Sequence, residues 1–212
     1  PAAAIEEARV KEQVKAGLIG EVEFENFNLG RYEDKKTFAL PLRNMFLIAL
    51  ASYYGDVVVL GSTAEDVFLD GSERFMRSME FALKIAWQTQ LGIDGKTVKV
   101  DTAFKGLDKR NLVNLYTSLG DKRKRLNGLA INTMSCYQPE YFGVADDYME
   151  CMNCMSCLRK YTSLVAEGYE LTNLQQFGLS MYIQREMIVE RLNSGELIQP
   201  KWFKKAVLDI LG

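Results

Sequence analysis

The sequence predicts an α/β protein in which a parallel sheet is flanked by helices. Amphipathic segments of helical period alternate with short β-branched segments over the first 120 residues. This alternation is typical of right-handed crossovers between parallel strands. The 212 residues are 48% apolar and 25% charged, with 16 glycines and 4 prolines. These values fit one globular domain, or one domain with a small appendage, and exclude a fibrous or disordered chain.

The first part of the chain contains two predicted helices and one predicted strand. Residues 2–16 are rich in Ala, Glu, Lys and Arg and stop at Gly17, which predicts a helix. Residues 22–27 carry Val and Phe in a short extended pattern that predicts a strand, and residues 28–40 read as a polar loop. Pro41 can then open an apolar helix.

The middle of the chain is predicted to alternate strand, helix, strand and helix. The β-branched segment Val57–Leu60 predicts a strand that is buried on both faces, as in a parallel sheet. Ser72 is a good N-cap for the helix that follows, and residues 97–100 alternate like a strand. Asp108 caps the next helix, which ends at Gly120.

The remainder of the chain is predicted to be mostly helical. The basic run Lys122–Arg125 is interpreted as a solvated loop, with a nucleic-acid patch as the alternative. Residues 172–193 predict one helix that ends before Gly195, and a short helix begins near Pro200.

Composition excludes several classes of function. The chain has no histidine, which excludes Ser-His-Asp and Cys-His catalysis and every metal site with histidine ligands. A net charge of −2 argues against general nucleic-acid binding, which usually requires a basic excess. The longest apolar stretch, Met45–Ala51, is far shorter than the roughly 20 residues that span a bilayer, and residues 1–7 show no secretory pattern. We therefore expect a cytoplasmic protein that contacts no membrane.

Four cysteines lie close together in the sequence and predict a metal site. Cys136, Cys151, Cys154 and Cys157 have the spacing C-x14-C-x2-C-x2-C. A C-x2-C turn brings two thiolates near one point, and zinc prefers four ligands in a tetrahedral array, so the predicted site is closed and structural. Zinc with four thiolates carries a charge of about −2, which cations such as Arg159 and Lys160 are expected to offset. An iron–sulfur cluster, two disulfides and four free thiols are the alternatives.

Two polar segments are candidates for binding a nucleotide or a base. Glu65, Asp66 and Asp70 follow the second predicted strand, and ligands of open α/β sheets bind beyond the carboxyl ends of strands. Carboxylates there can hold a base edge, a ribose or Mg²⁺, or they simply make the loop soluble. Arg43 and Asn44 begin an apolar helix whose N-terminus favours anions, and the alternative is an ordinary surface arginine.

Taken together, these segments resemble the 7-cyano-7-deazaguanine synthase family. Members have a Pro-x-Arg-Asn step before an apolar helix, a Gly-x-x-Ala-Glu-Asp turn after a buried strand, a lysine at a helix start, a Ser-Cys-Tyr step and a closing C-x2-C-x2-C. The matching segments of this chain, in the same order, are Pro41–Asn44, Gly61–Asp66, Leu107–Lys109, Ser135–Tyr137 and Cys151–Cys157. The resemblance covers about residues 2–165.

The resemblance implies an adenine nucleotide alpha hydrolase-like fold with a structural zinc held by the four cysteines. It implies that ATP, with Mg²⁺, activates the carboxylate of 7-carboxy-7-deazaguanine, and that ammonia converts this group to the amide and then to the nitrile. The product would serve the queuosine-type modification of guanine in a nucleic acid, and the enzyme would be a homodimer. The residues implied to line the pocket for the nucleotide and the deazaguanine are Arg43, Asn44, Glu65, Asp66, Asp70 and Lys109.

The chain departs from the family pattern in two places. The 212 residues contain no strand with a Ser-Gly-Gly-x-Asp-Ser loop, which in the family cradles the pyrophosphate of ATP, and the x14 spacing is longer than usual. We therefore expect the C-terminal part of a synthase, or a repurposed relative that binds or transfers a deazaguanine without making the nitrile, or a zinc-bearing interaction module. The predicted organisation is a nucleotide-binding-like α/β domain, a zinc-binding segment and a helical tail, over residues 1–130, 131–165 and 166–212.

Overall fold

The computed structural model of the chain consists of two compact units. Unit 1 comprises Pro1–Glu23 and Lys109–Gly212, and unit 2 comprises Phe24–Asp108. The three segments predicted from the sequence, over residues 1–130, 131–165 and 166–212, stay a prediction. The residues that the structure describes are 2–15, 17, 19–25, 29–32, 34, 40–64, 71–91, 96–136, 140–141 and 148–212.

The described elements alternate between helix and strand at first and are mostly helical later. No helix in the described ranges is both long enough and apolar enough to cross a membrane. In chain order the helices and strands are α1 (Ala2–Lys15), α2 (Arg43–Ala51), β1 (Val57–Val59), α3 (Glu73–Leu91), β2 (Lys99–Asp101), α4 (Lys109–Ser118), α5 (Lys122–Asn132), β3 (Glu140–Tyr141), β4 (Tyr148–Met149), α6 (Met155–Ala166), α7 (Asn173–Arg185), α8 (Ile188–Ser194) and α9 (Lys201–Leu211).

Unit 2 is the α/β part of the molecule. Strands β1 and β2 run parallel, with Val58 opposite Val100, and helix α3 connects them. Parallel strands require such a crossover, so the predicted α/β class is confirmed. Helix α3 begins as predicted, because Ser72 Oγ accepts a hydrogen bond from Phe75 N at 3.2 Å.

The core of unit 2 lies on one face of this sheet. Val58 and Val100 pack with Ile48 of α2 and with apolar residues of α3. Val57 and Val59 alternate with Val58 and are 59% and 55% exposed. The prediction that β1 is buried on both faces is therefore wrong within the described residues, because α2 and α3 pack against the face that carries Val58.

The strand predicted over residues 22–27 is wrong for residues 22–25, which are the part of this segment that the structure describes. Residues 20–25 form no helix or strand, and their side chains are exposed. Residues 26–28 lie outside the described residues. Val and Phe favour a strand only where a neighbouring strand and a buried face are available, and no described strand pairs with this segment.

Unit 1 is built around helix α6, which is buried along most of its length. Helices α4, α5 and α9 pack directly on α6, and α7 and α8 pack on α9. A helix that is covered on all sides is typical of the centre of a core. The fully buried side chains that surround α6 belong to the tail helices and are Leu179, Ile183, Ile188, Phe203, Val207 and Ile210.

Two predictions in unit 1 are wrong in detail. The basic run after residue 121 is the first turn of α5 and not a loop, because Asp121 Oδ1 caps the helix by accepting from Lys124 N at 2.8 Å. Lys and Arg are also good helix formers. The single helix predicted over residues 172–193 is two helices, since Met187 has a left-handed φ of 51° between α7 and α8. A helix does follow Pro200, as predicted.

A carboxylate at the end of α6 joins three helices of unit 1. Glu167 accepts hydrogen bonds from Arg110 Nε at 2.8 Å, Asn114 Nδ2 at 2.9 Å and Lys122 Nζ at 3.2 Å. Burial alone would raise the pKa of Glu167, but the hydrogen bonds from Asn114, Arg110 and Lys122 outweigh burial and lower this pKa. The three helices are therefore held together most strongly when Glu167 is ionised.

We expect Leu179→Ala to lower the free energy of unfolding by about 2–5 kcal/mol, because Leu179 is fully buried and a cavity would remain. Leu174 lies on the same helix but is 61% exposed, so Leu174→Ala is the matched control and should change stability by less than about 0.5 kcal/mol. Urea denaturation followed by circular dichroism measures both variants. Equal losses would contradict the assignment of the inner face of α7.

Glu167→Gln should destabilise the protein at pH 7 by about 1–3 kcal/mol, because three hydrogen-bond donors lose a buried and charged acceptor. A carboxyl group whose pKa is depressed on folding contributes stability above its unfolded pKa, here 4.5, and loses it as the pH falls through the folded pKa. The difference from wild type should therefore shrink between pH 7 and about pH 3. Denaturant titrations at both pH values test this, and a constant difference would contradict it.

Candidate functional site

The four cysteines converge on one point at the N-terminal end of α6. Their sulfur atoms all lie within 4.8 Å of one another. The Sγ of Cys157 lies 3.5 Å from that of Cys154 and 3.9 Å from that of Cys151. Cys136 and Cys157 are buried, and the other two are half-buried. The structure therefore confirms the prediction that these four residues form one cluster.

A tight turn before α6 brings the cluster together. Met152 has a left-handed φ of 51° between Cys151 and Cys154. Cys154 is the N-cap of α6, and its sulfur accepts a hydrogen bond from Cys157 N at 3.5 Å. Cys151 N donates in the same way to Cys136 Sγ at 3.4 Å. Backbone N–H groups thus point at the sulfur atoms and stabilise negative charge on them.

The surroundings of the cysteines shift their pKa values in opposite directions. The pKa of Cys154 falls to about 5, first because its sulfur shares a hydrogen bond with Cys157 and then, against the effect of burial, because of backbone N–H groups at the start of α6. Burial raises the pKa of Cys151 to about 12. The pKa of Cys157 is raised by its hydrogen bond with Cys154 and by burial. Four thiolates at this separation would repel one another, so ionisation of the whole cluster would need a cation beside it.

The donor set and the distances fit a tetrahedral metal ion. Sulfur atoms placed about 2.3 Å from one ion at tetrahedral angles are about 3.8 Å from one another. The two separations given above, 3.5 and 3.9 Å, lie on either side of this value. A disulfide requires about 2.05 Å, so the pairs measured here are not disulfides. Thiolates favour zinc or an iron–sulfur cluster over hard cations such as Mg²⁺.

A buried ion pair beside the cluster was missed by the sequence analysis. Lys160 Nζ donates to Glu150 Oε2 at 2.6 Å, and both side chains are less than a tenth exposed. The sequence identified Lys160 as a nearby cation but not its partner. The available signal was a glutamate directly before Cys151, yet a spacing of ten residues across a turn does not by itself indicate a contact.

Helix α7 packs against the cysteine-bearing turn through a glycine. A Cβ atom on Gly178 would lie 2.8 Å from Met152 Cβ and 3.4 Å from the Met152 carbonyl oxygen. Because the nearest atom is close to the backbone, a side chain at this position would force the helix and the turn apart. The helical tail therefore contacts the turn that carries the cysteines.

Three of the predicted pocket residues lie at helix starts. Arg43 and Asn44 form the first turn of α2, where Leu42 has a φ of 61° and no side chain caps the helix. Arg43 is exposed and Asn44 is half-buried. Lys109 is the first residue of α4 and is half-buried. Arg43 and Asn44 belong to unit 2 and Lys109 to unit 1, and their shared pocket stays a prediction.

The acidic turn of the predicted pocket lies outside the described residues. The segment that leads into it is described: Ala64 N donates to Leu107 O at 2.9 Å, and Thr102 Oγ1 donates to Ser62 O at 2.8 Å. The parallel pairing of β1 and β2 is thus followed by further contacts, which join residues 62–64 to the segment after β2. The residues that the structure does not place are Glu65, Asp66 and Asp70.

Comparisons with known proteins agree with the resemblance seen in the sequence. The family model described as "Queuosine biosynthesis protein QueC" matches residues 7–168. A 7-cyano-7-deazaguanine synthase of Pyrococcus furiosus is 30% identical over 141 residues, which are 63% of this chain and 52% of that protein. A protein of the same name from Pyrococcus abyssi is 27% identical over 150 residues, or 68% and 56% of the two chains. The chain spans about half the length of these curated relatives. No solved structure matches it significantly.

Gly178→Ala should lower the free energy of unfolding by about 1–3 kcal/mol, because the added Cβ meets Met152 Cβ at 2.8 Å. Met152→Gly removes that atom and suits the left-handed backbone, so Gly178→Ala should be less damaging in this background. Urea denaturation of the two single variants and the double variant measures the coupling.

Gly128 in the middle of α5 provides the matched control. A Cβ atom there has only the Asn132 side chain nearby, at 3.9 Å. Gly128→Ala should therefore be neutral or stabilising by up to about 1 kcal/mol, since alanine favours a helix. Equal effects of Gly178→Ala in the wild-type and Met152→Gly backgrounds would contradict the proposed contact.

Proposed function

The chain belongs to the QueC family of queuosine biosynthesis proteins, and from this premise we propose that it makes 7-cyano-7-deazaguanine from 7-carboxy-7-deazaguanine, ammonia and ATP. The observation that carries the proposal is the convergence of four cysteines at the start of α6, inside the matched region. This cluster fits the metal site that the family resemblance implies. Two relatives that bear the synthase name support the same reaction.

The metal that we propose for the cluster is zinc in a structural role. Four thiolate ligands complete its coordination, so the ion has no position for water or substrate. When bound, it would tie residues 136–150 to α6 and supply folding free energy. The chemistry of the reaction is then assigned to side chains elsewhere in the chain and to ATP.

The reaction requires two activations of the same carbon. The substrate carboxylate attacks the α-phosphorus of ATP, pyrophosphate leaves, and ammonia displaces AMP from the acyl carbon to give the amide. The amide oxygen then attacks the α-phosphorus of a second ATP and releases pyrophosphate, and AMP leaves with that oxygen while the nitrogen loses its two protons to form the nitrile. Positioning and neutralisation of phosphate charge are the main requirements, so a chain without histidine can support this chemistry.

We assign binding roles to the predicted pocket residues from the charges of their side chains. Arg43 and Asn44, at the N-terminus of α2, would bind an anionic group of ATP or the substrate. Lys109 would bind a second anionic group. Mg²⁺ would neutralise phosphate charge, held by carboxylates of the acidic turn. The remaining carboxylates would accept hydrogen bonds from the N–H edge of the deazaguanine, and the residues of this turn are Glu65, Asp66 and Asp70.

The proposed setting of the reaction follows from its reactants. ATP, ammonia and four reduced cysteines indicate the cytoplasm. We also propose that the protein acts as a homodimer, as the family resemblance implies, and that it binds neither a membrane nor a nucleic acid directly. The deazaguanine product would reach the nucleic acid through a separate enzyme.

The activity assay uses the full-length protein with ATP, Mg²⁺, ammonium and 7-carboxy-7-deazaguanine, and we expect the nitrile and AMP to appear. Arg43→Ala should lower kcat/KM roughly 10- to 100-fold, because a charge-assisted hydrogen bond contributes about 1.5–3 kcal/mol. Arg77→Ala is the matched control, since Arg77 is an exposed arginine of α3 that pairs with Glu73 and Glu80, and it should leave the rate unchanged.

Absence of both nitrile and AMP would contradict synthesis. Calorimetry then separates the alternatives. Binding of the deazaguanine without ATP would indicate a relative that binds or transfers the base, and binding of neither ligand would indicate an interaction module. An Arg43→Ala variant with full activity would contradict the assignment of Arg43 alone.

Metal analysis should find one zinc ion per chain. Removal of the ion by a chelator should lower the Tm by roughly 8–16 °C, since binding at 1,000 times the Kd stabilises by about 4 kcal/mol and each kcal/mol shifts the Tm by about 2–4 °C. Cys151→Ser should bind zinc weakly, so the chelator should have little further effect on its Tm. Equal shifts in the wild type and this variant would contradict the cysteine site.

A further inference from the structure

We propose that the buried pair of Glu150 and Lys160 is a positioning device that aligns the two halves of the cysteine cluster before metal binds. This inference rests on the metal that we propose for the cluster. It extends that proposal to two residues that are not ligands. The pair would raise the affinity for the metal, and the role of each residue follows from its contacts.

Glu150 connects the two chain segments that carry the first and second cysteines. Its Oε1 atom accepts a hydrogen bond from Ser135 N at 2.6 Å, and its Oε2 atom accepts from Lys160 Nζ at 2.6 Å. Ser135 directly precedes Cys136, and Glu150 directly precedes Cys151. One carboxylate therefore fixes the distance between two ligands that are 15 residues apart.

Lys160 connects the same carboxylate to α6 and to the end of α5. Besides Glu150, its Nζ atom donates to Thr133 O at 2.7 Å and to Ala130 O at 3.2 Å. The three donors of the ammonium group thus have three acceptors. Lys160 lies one helical turn after Cys157, so the position of the fourth ligand is coupled to the segment that carries the first.

The positive charge of Lys160 also suits a cysteine cluster that holds a metal ion. Four thiolates and one divalent ion leave a net charge of about −2. The pair of Lys160 and Glu150 is neutral as a whole, but its ammonium end lies within one turn of Cys157 and can attract that charge. Burial lowers the pKa of Lys160 below its ordinary value, although the negative charges of Glu150 and Cys157 act in the opposite direction.

Stability alone does not explain the pair. Replacing a buried ion pair by apolar residues of similar size is often neutral or stabilising, because both ions lose their hydration on burial. Apolar residues cannot, however, hold Ser135 N and the two carbonyl oxygens at fixed positions. Residues that orient metal ligands typically change metal affinity 10- to 100-fold when replaced.

The test compares zinc affinity in the wild type and in the double variant Glu150→Leu/Lys160→Met, which leaves no unpaired charge in the core. Competition with a chromophoric chelator measures the Kd, and circular dichroism of the metal-free chains measures folding. We expect folding to be retained and the Kd to rise roughly 10- to 100-fold. If the double variant folds only with metal, the zinc concentration at half-folding replaces the Kd in the comparison.

Glu167→Gln is the matched control, because Glu167 is a buried glutamate of the same unit whose side chain bonds to Arg110, Asn114 and Lys122 of α4 and α5. It should lower stability and leave the Kd within about twofold of the wild type. The visible spectrum of bound Co²⁺ adds a second measurement, since the double variant should show a distorted tetrahedral thiolate site and Glu167→Gln should not.

Two results would contradict these proposals, and the experiment distinguishes them. A wild-type chain that binds no zinc would overturn the metal proposal and this inference with it. Tight binding by the wild type with an unchanged Kd and Co²⁺ spectrum in the double variant would overturn this inference alone. Single Lys160→Met leaves Glu150 buried without its partner, so it should be both less stable and weaker in metal binding.

Discussion

The N-terminal end of α6 is the place on which the organisation of unit 1 depends. The helix is covered by α4, α5 and α9, and its N-terminal end supplies Cys154 as N-cap and Cys157 as a buried member of the cysteine cluster. One helix is thus both the centre of the core and the carrier of half of the cysteine cluster. A buried helix cannot shift without disturbing its neighbours. The positions of the sulfur atoms therefore depend on the packing of the whole unit. Gly178 of α7 extends this dependence to the tail, which lies beyond the part matched by the family model.

The separation between structural metal and reaction chemistry follows from the residue types. The cluster of four cysteines offers only thiolate ligands, and four thiolates leave no position for a substrate. Adenylation and amination need anion binding and orientation, which helix N-termini and carboxylates can provide. The residues proposed for anion binding, Arg43 and Asn44, lie in a different part of the chain from the cysteines. The proposed reaction and the proposed metal can accordingly be tested independently.

Short-range chemistry was predictable from the sequence, whereas features set by packing were not. The spacing of Cys151, Cys154 and Cys157 constrains a turn so strongly that the cluster could be predicted. The exposure of Val57 and Val59 depends on which faces the helices cover, and β-branched residues do not reveal this. The break at Met187 also depends on packing, because left-handed backbone is normally marked by glycine. The ion pair of Glu150 and Lys160 could not be predicted for the same reason, because the sequence shows both charged residues but not the turn that brings them together.

The most direct test of the metal site is zinc K-edge X-ray absorption of the purified protein. The account predicts a single shell of four sulfur atoms at about 2.3 Å from the ion, with no nitrogen or oxygen neighbour. Such a shell would place all four cysteines on one closed ion at the start of α6. A shell with fewer than four sulfur atoms, completed by oxygen or nitrogen, would contradict the closed site and reopen a catalytic role for the metal.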